Sequence, residues 1–453
     1  MAEFVQTIIK TILFFLITVL CIPGCRKGST PIKIIETITD NGGGIGTTTW
    51  TKDKTYVIEG FVFVNEGQIL SIEPGTIIQG RTGQGDNASA LIVARGGKII
   101  AEGTKEEPII FTTEGDDLKG SVPIDSKGLW GGLILLGRAS LNTASGEAHI
   151  EGIPIYEDRG IYGGPMDDDN SGILQYVSVR HGGTNIGDGN EINGLTLGGV
   201  GSSTIIDHVE IISNLDDGVE CFGGTVNLRN IVVSYCGDDA FDFDLGYHGK
   251  MQFVLAIQAE EAGDKILEIT GGTEEGYGLP YTLPEIYNFT GIGRGFNTGR
   301  KLNSFSLNGA GKLYNSIFTD QDQGMFIEYN TFQQNSYEHI NRENLVLASN
   351  SFYNVGQNDS TQIFRIMASD GLDVSEQQDF LITYFSEHYN EVKDYGIGKV
   401  NDQIKIYPNT DIFSDLAPYS NNWFYEVSYK GAFLNDNWIA GWTLIYEEGK
   451  IEF

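Results

Sequence analysis

The chain has 453 residues, 60 of them glycine and only 11 proline, and a formal net charge of −32. That charge repels nucleic acid and anionic headgroups and favours cations or neutral and basic partners, so nucleic-acid binding is set aside. Glycine is well above ordinary usage while charged residues, at 20%, are not, which excludes a disordered Pro/Gly tract.

At the N-terminus an apolar run from Ile12 to Ile22 leads to Pro23, Gly24 and Cys25. A spanning helix needs about 20 apolar residues, so this shorter run reads as a cleaved export signal. Lys10 is the only basic residue ahead of it, and Glu3 weakens that basic region. Ile22-Pro23-Gly24-Cys25 resembles the lipobox of bacterial lipoproteins, in which cleavage falls before a cysteine that already carries a diacylglyceryl group. The resemblance implies a signal peptide over 1–24, an acylated N-terminus at Cys25 and lipid anchorage at a bacterial outer membrane or cell surface. Several acyl chains would hold the protein firmly, since one chain alone binds only marginally.

About 430 residues remain after such cleavage, more than one compact core ordinarily uses, but a solenoid escapes that ceiling because its core grows lengthwise. The glycines punctuate short β-branched runs: F-V-F-V after Gly60, I-L-S-I-E-P-G-T-I-I-Q-G from 69 to 80, A-L-I-V from 90 to 93 and P-I-I-F-T from 108 to 112. Short strands without interposed amphipathic helices exclude a βαβ architecture and make the chain all-β.

An internal repeat gives the architecture. T-I-I-D-H-V-E-I-I-S-N-L-D-D-G-V-E-C-F from Thr204 aligns with V-N-L-R-N-I-V-V-S-Y-C-G-D-D-A-F-D-F from Val226 at an offset of 22 residues. Val209 then meets Ile231, Ile211 meets Val233, Asp216 meets Asp238, Asp217 meets Asp239 and Glu220 meets Asp242. Apolar residues match at alternate positions, as inward-facing strand residues require. The unit suits one three-sided coil of a parallel β-helix, right-handed by the general bias of parallel connections. I-L-Q-Y-V-S-V-R-H-G-G from Ile173 reads as the preceding coil, and L-Y-N-S-I-F at 313–318 recurs as A-S-N-S-F-Y at 348–353.

The expected organisation is a linker and cap over 25–55, the β-helix over 56–364, and a C-terminal cap or small appended domain over 365–453. The tracts 140–170 and 271–300 are candidate corner insertions, tolerated because lengthening a loop costs little. The last stretch carries Trp423, Trp438 and Trp442, and a short helix is expected after Leu372. Cys221 and Cys236 fit no zinc spacing, leaving either one oxidised pair or two separately buried thiols.

E-P-G-T-I-I-Q-G, G-L-W-G-G-L-I-L-L-G-R-A at 128–139, D-D-G-V-E-C-F-G-G-T-V-N from Asp216, G-D-D-A-F-D-F-D-L-G-Y-H-G-K-M-Q-F from Gly237 and the terminal W-I-A-G-W-T resemble a family of exported β-helix proteins from Bacteroidetes and related bacteria. The likeness runs from about Tyr56 to Thr443. It implies export, commonly as a lipoprotein, and carries no assigned reaction. The fold it implies is similar to that of pectate lyases and related polysaccharide-active enzymes, which by itself does not establish chemistry.

The acids of the repeat are the strongest local feature. Asp216, Asp217 and Glu220 would lie one coil from Asp238, Asp239 and Asp242, with Asp244 nearby, so like charges would stand about 5 Å apart. Three compensations are open: turn N–H groups bonding the Asp side chains, Ca2+ bridging main-chain carbonyls and carboxylates drawn from these six acids, or general acid–base catalysis with separated pKa values. Asn214-Leu215-Asp216 followed by Asp238-Asp239 resembles the N-x-D and D-D elements of polygalacturonase-type glycosidases, implying Asp239 as acid and Asp216 and Asp238 as bases. The G-H-G counterpart is displaced to Gly246-Tyr247-His248-Gly249, and no R-x-K follows.

A lyase needs a base and cations. Arg180, His181, His208, Arg229 and Lys250 are available but form no single row, and both His181 and His208 read first as corner residues. Asp167-Asp168-Asp169-Asn170 reads as a solvated loop, Trp130 as core or cap before a sugar platform, and Tyr281, Tyr287, Phe289 and Phe296 as adhesive loop or local packing. The sequence thus points to a lipid-anchored binding or structural module, with glycan the first-choice ligand and Ca2+ a candidate structural ion. A polysaccharide hydrolase or lyase and a surface-protein adhesion module are the alternatives.

Overall fold

Alternation of inward apolar and outward polar residues makes each short run a strand, and the 22-residue spacing returns the chain to the same place one coil on. A computed structural model describes residues 34–452 except 188–189, 273–277, 333, 402 and 412. The export signal, Cys25 and its expected acylation lie outside the described residues. Ile205–Ile212 runs parallel to Asn227–Ser234, with Val209 opposite Ile231 and Ile211 opposite Val233. Val219–Phe222 runs parallel to Phe241–Asp244, with Glu220 opposite Asp242. Gly172–Arg180 is the coil before, with Ile173 opposite Ile205.

The long strand of each central coil bends at one left-handed residue: Tyr176, His208, Asn230, Phe253 and Asn288 have φ between 48° and 57°. The bend divides it between two faces. The first face starts at Thr48–Trp50 and passes through Ile69–Ile72 and Lys98–Glu102; the second passes from Lys54–Ile58 through Ile77–Gly80 to Ile109–Thr113. Both continue in the two halves of Gly172–Arg180. The third face is a 10-stranded parallel sheet reaching from Phe61–Val64 to Phe364–Met367. The protein is an all-β parallel β-helix, and its ladder is already present before residue 56.

Residues from Ile35 on form one compact unit. Its core is a continuous apolar column in which Phe289, Phe318 and Phe352 stack with ring centroids 5.5 and 5.7 Å apart. Polar ladders secure the corners, because a buried N–H must be paired. The Phe289 N–H donates to Ser316 Oγ, the Ser316 N–H to Asn350 Oδ1 and the Asn350 N–H to Asn390 Oδ1, at 3.0 to 3.1 Å.

Several expectations change. Tyr314 pairs with Ala348 and Ile317 with Ser351, so the later repeat has an offset of 34 residues and the letter match of 313–318 to 348–353 is one residue out of register. The left-handed residues Asn315 and Ser349 are the true equivalents; a slip of one would turn every side chain to the wrong face. The tract 140–170 is an insertion, with an antiparallel hairpin of Glu147–His149 and Ile161–Gly163. The tract 271–300 is one only in part, since Glu285–Gly295 is a coil strand. Tyr287 and Phe289 belong to it and are buried, which removes them from any adhesive loop, whereas Phe296 is 48% exposed. Trp130 is fully buried and donates from Nε1 to the Arg180 carbonyl, a core role. Cys221 and Cys236 are both free and buried, which settles against the oxidised pair.

Past the last third-face strand, the helix Ser375–Glu387 sets Leu381, Tyr384 and Phe385 into the core with Phe352 and Phe364. The chain then returns along the flank. The Arg229 guanidinium lies 4.3 and 4.2 Å from the Trp423 and Tyr425 rings, and Trp442 meets Tyr176 edge-on. The fully buried Glu210 carboxylate accepts the Leu444 and Ile445 N–H groups at 2.8 and 3.1 Å.

Neighbouring residues give a direct test of the alternation. Ile206 is in the core and Ile205 is 50% exposed. Ile206→Ala should cost about 2–5 kcal/mol in urea denaturation, and Ile205→Ala should stay within about 0.5 kcal/mol of wild type.

Candidate functional site

Register on the third face builds the site. Thr196, Glu220, Asp242, Glu268 and Ser304 face one another on successive strands, all with outward parity between inward partners such as Val219 and Cys221. At the corner two residues ahead of this sheet lie Asn193, Asp217, Asp239 and Lys265, beside Asp216, Asp238 and Asp264. Three carboxylate sets result, each with one oxygen per residue within 4.8 Å of the others: Asp216–Asp217–Asp238, Asp217–Glu220–Asp242 and Asp238–Asp239–Asp264. All six acids expected from the repeat are therefore brought together. Glu268, Asp264, Lys265, Asn193 and Glu151 were not anticipated.

Turn bonding is one compensation in place. Asp217 Oδ1 accepts the Asp239 N–H at 2.8 Å, Asp239 Oδ1 accepts the Lys265 N–H at 2.5 Å and Asp244 Oδ1 accepts the Leu245 N–H at 2.6 Å. Lys265 supplies a second, its ammonium 2.5 Å from Asp264, 3.2 Å from Glu268 and 3.4 Å from Asp239. Arg300 pairs with Asp264 from outside, and Ser304 donates to Glu268. At the other end Asn193 donates from Nδ2 to Glu220 and, at 3.3 Å, to Glu151 of the 140–170 insertion.

These contacts leave the negative charge under-compensated. Burial, then Glu151 and Asp238, push Asp216 up to about 7, and burial pushes Asp244 up to about 6. Asp217, Glu220 and Asp242 are held well above the carboxylate range by burial and next by an acid one coil away. Asp239 is raised by burial against the pull of Lys265. Burial opposes charge on Lys265, yet Asp239, Glu268 and Asp264 together keep its pKa above the ordinary lysine value.

The donor set fits a hard cation, which takes six to eight oxygens at about 2.3–2.6 Å when it is Ca2+. Asp242 Oδ1 and Asn193 Oδ1 are buried oxygens with no hydrogen-bond partner. Exchanging the Asn193 amide atoms would present its oxygen to Glu220 in place of its nitrogen, an orientation suited to a bound ion.

The remaining candidates lie elsewhere. His208 and His181 are left-handed corner residues with φ of 55° and 62°, and His181 Nδ1 sits 2.8 Å from the Ser126 carbonyl. Arg180 is buried near Ser178, Arg229 is stacked on the C-terminal segment, and Lys250 lies in the first-face row opposite Glu285. No lyase-like row of cations therefore flanks the acids from these residues. Asp167 and Asp169 accept the Ser140 and Arg138 N–H groups at 3.0 Å and fix the insertion.

A family description of a pectate-lyase-like β-helix domain matches residues 43–389, most of the chain, and the protein belongs to that family. No curated protein and no solved structure matches it.

Neutralising the cation within the acids isolates its role. Lys265→Met should destabilise the ion-free protein by about 3–5 kcal/mol at pH 8, as expected for breaking a buried pair. The loss should shrink at pH 5, where the raised carboxyls recover protons; urea unfolding at the two pH values checks both parts.

Proposed function

We propose that this member of the pectate-lyase-like β-helix family is an extracytoplasmic glycan-binding module, lipid-anchored through Cys25 at a bacterial outer membrane or cell surface, whose acidic ladder carries Ca2+ as a structural ion. The observation that carries the binding reading is the state of Asp239. It is 2% exposed, and both of its oxygens are engaged by Lys265, through the backbone N–H and the ammonium. A general acid must reach the leaving-group oxygen of its substrate, and Asp239 is turned into the protein instead.

Support for Ca2+ comes from stacked, mutually repelling acids with two unpartnered buried oxygens among them. Support for carbohydrate comes from the family and from cavities of about 330 to 580 Å3 on the coil surface, none lined by the acids. The stacked carboxylates need no substrate to explain them if a divalent ion offsets part of their charge. One observation favours the rival hydrolase or lyase reading: Asp216 is partly exposed and poised near neutrality at about 7. An adhesion role finds Ile155 and Tyr156 exposed side by side in the insertion, too small a patch to compete.

Carboxyls raised in the native state bind more protons there than in the unfolded chain, so ion-free stability falls as pH rises from about 4 towards 7. Ca2+ should therefore raise the melting temperature more at pH 8 than at pH 5; no shift at either pH contradicts the ion. On a polysaccharide panel, retention without product supports the binding module, and product formation abolished by Asp239→Asn overturns it.

A further inference from the structure

On the first face, the outward row through the later coils reads Gln252, Tyr287, Tyr314 and Ala348. The next coil brings Glu391 opposite Ser351 and Val392 opposite Phe352, so by the same register His388 continues the row beyond Ala348. The Ser349 N–H, which donates to the His388 carbonyl at 2.9 Å, ties these two coils at that point. Tyr287 and Tyr314 are stacked, with centroids 4.6 Å apart and planes at 27°. The row is thus ring, ring, methyl, ring, with a side chain missing at one step.

A cavity of about 580 Å3 lies at that step, with Tyr314, Ala348, His388, Tyr389 and the acidic residues Glu387 and Asp415 in its lining. Its size lies in the roughly 300–1,000 Å3 range of small-ligand sites. The walls are fixed. His388 stacks on Tyr384 of the capping helix at 3.7 Å, Asn315 clamps Ala417 through both its amide atoms at 2.8 and 2.9 Å, and Tyr287 donates to the Pro418 carbonyl. Tyr389, also in the lining, is 63% exposed. A gap beside an aromatic stack takes a ring with apolar faces, and acids beside it accept hydrogen bonds from hydroxyls while repelling an anion.

We propose that the gap over Ala348 is a subsite for one neutral pyranose ring of a glycan, stacked on Tyr314 with its hydroxyls bonded to Glu387 and Asp415. The assignment rests on the carbohydrate-binding reading above and gives it a location distinct from the acidic ladder, on another face of the helix. Uronate units are excluded by the two carboxylates.

The test is calorimetric titration of the full-length protein with neutral hexasaccharides of glucose, mannose, galactose or xylose, and with hexagalacturonate. Wild type should bind at least one neutral hexasaccharide, with hexagalacturonate tenfold weaker or undetectable. Ala348→Phe fills the gap with the protein's own ring, so it should retain or raise the melting temperature while weakening binding at least tenfold. Tyr314→Leu should weaken it similarly. Neutral binding that survives Ala348→Phe unchanged overturns the subsite and leaves the glycan reading intact. Preference for hexagalacturonate overturns the neutral-ring assignment, and absence of binding to every hexasaccharide overturns the glycan reading together with it. Should Ala348→Phe fold poorly, Glu387→Gln with Asp415→Asn supplies the same decision, since these exposed side chains can be changed without touching the core.

Discussion

Parallel hydrogen bonding between one coil and the next is the constraint on which everything else depends. It fixes each residue opposite its counterpart at the sheet spacing of about 4.8 Å, so any property repeated in sequence becomes a column in space. Inward columns of Val, Ile and Phe make a core without a size limit. Outward columns have no such freedom: whatever the repeat places there is stacked on its own kind. On the third face that means Glu220 beside Asp242 beside Glu268, and on the first it means Tyr287 beside Tyr314.

Stacked rings attract, and stacked carboxylates do not. The acidic column persists because neighbouring elements offset its repulsion: N–H groups of the following coil at the corner, the Lys265 ammonium at one end and the Asn193 amide at the other. The raised pKa values of Asp216, Asp217, Glu220, Asp238, Asp239, Asp242 and Asp244 mark the part left over, whereas Asp264, paired with Lys265 and Arg300, is lowered. A protein that keeps such an arrangement holds a store of electrostatic strain that protonation or a cation relieves, which couples its stability to pH and to ion concentration.

The coils from Thr204 to Asp244 were legible because the repeat there carries no insertion and apolar alternation survives at the same offset of 22 residues. Legibility failed where loop length varied. Glu268 follows Asp242 by 26 residues rather than 22, so the ladder looked shorter than it is, although F-D-F-D at 241–244 against L-E-I-T at 267–270 held the signal. At 313–318 the similarity of N-S to N-S outweighed the pattern of inward residues and shifted the register by one. Glu151 and Asn193 had no signal at all, because an insertion and a corner bring them in from outside the repeat. Trp130 was legible as core from the apolar residues after it, whereas Tyr287 and Phe289 were obscured by the neighbouring insertion.

The most direct measurement is a double-mutant cycle between Glu220 and Asp242 in ion-free protein at pH 8, read by urea unfolding. If the two side chains are coil-on-coil neighbours, Glu220→Gln and Asp242→Asn should each stabilise. The pair should then gain less than the sum, by about 1 kcal/mol, within the usual range for contacting groups. Strict additivity, or destabilisation by both single changes, would contradict the stacking of like charges at the centre of this account.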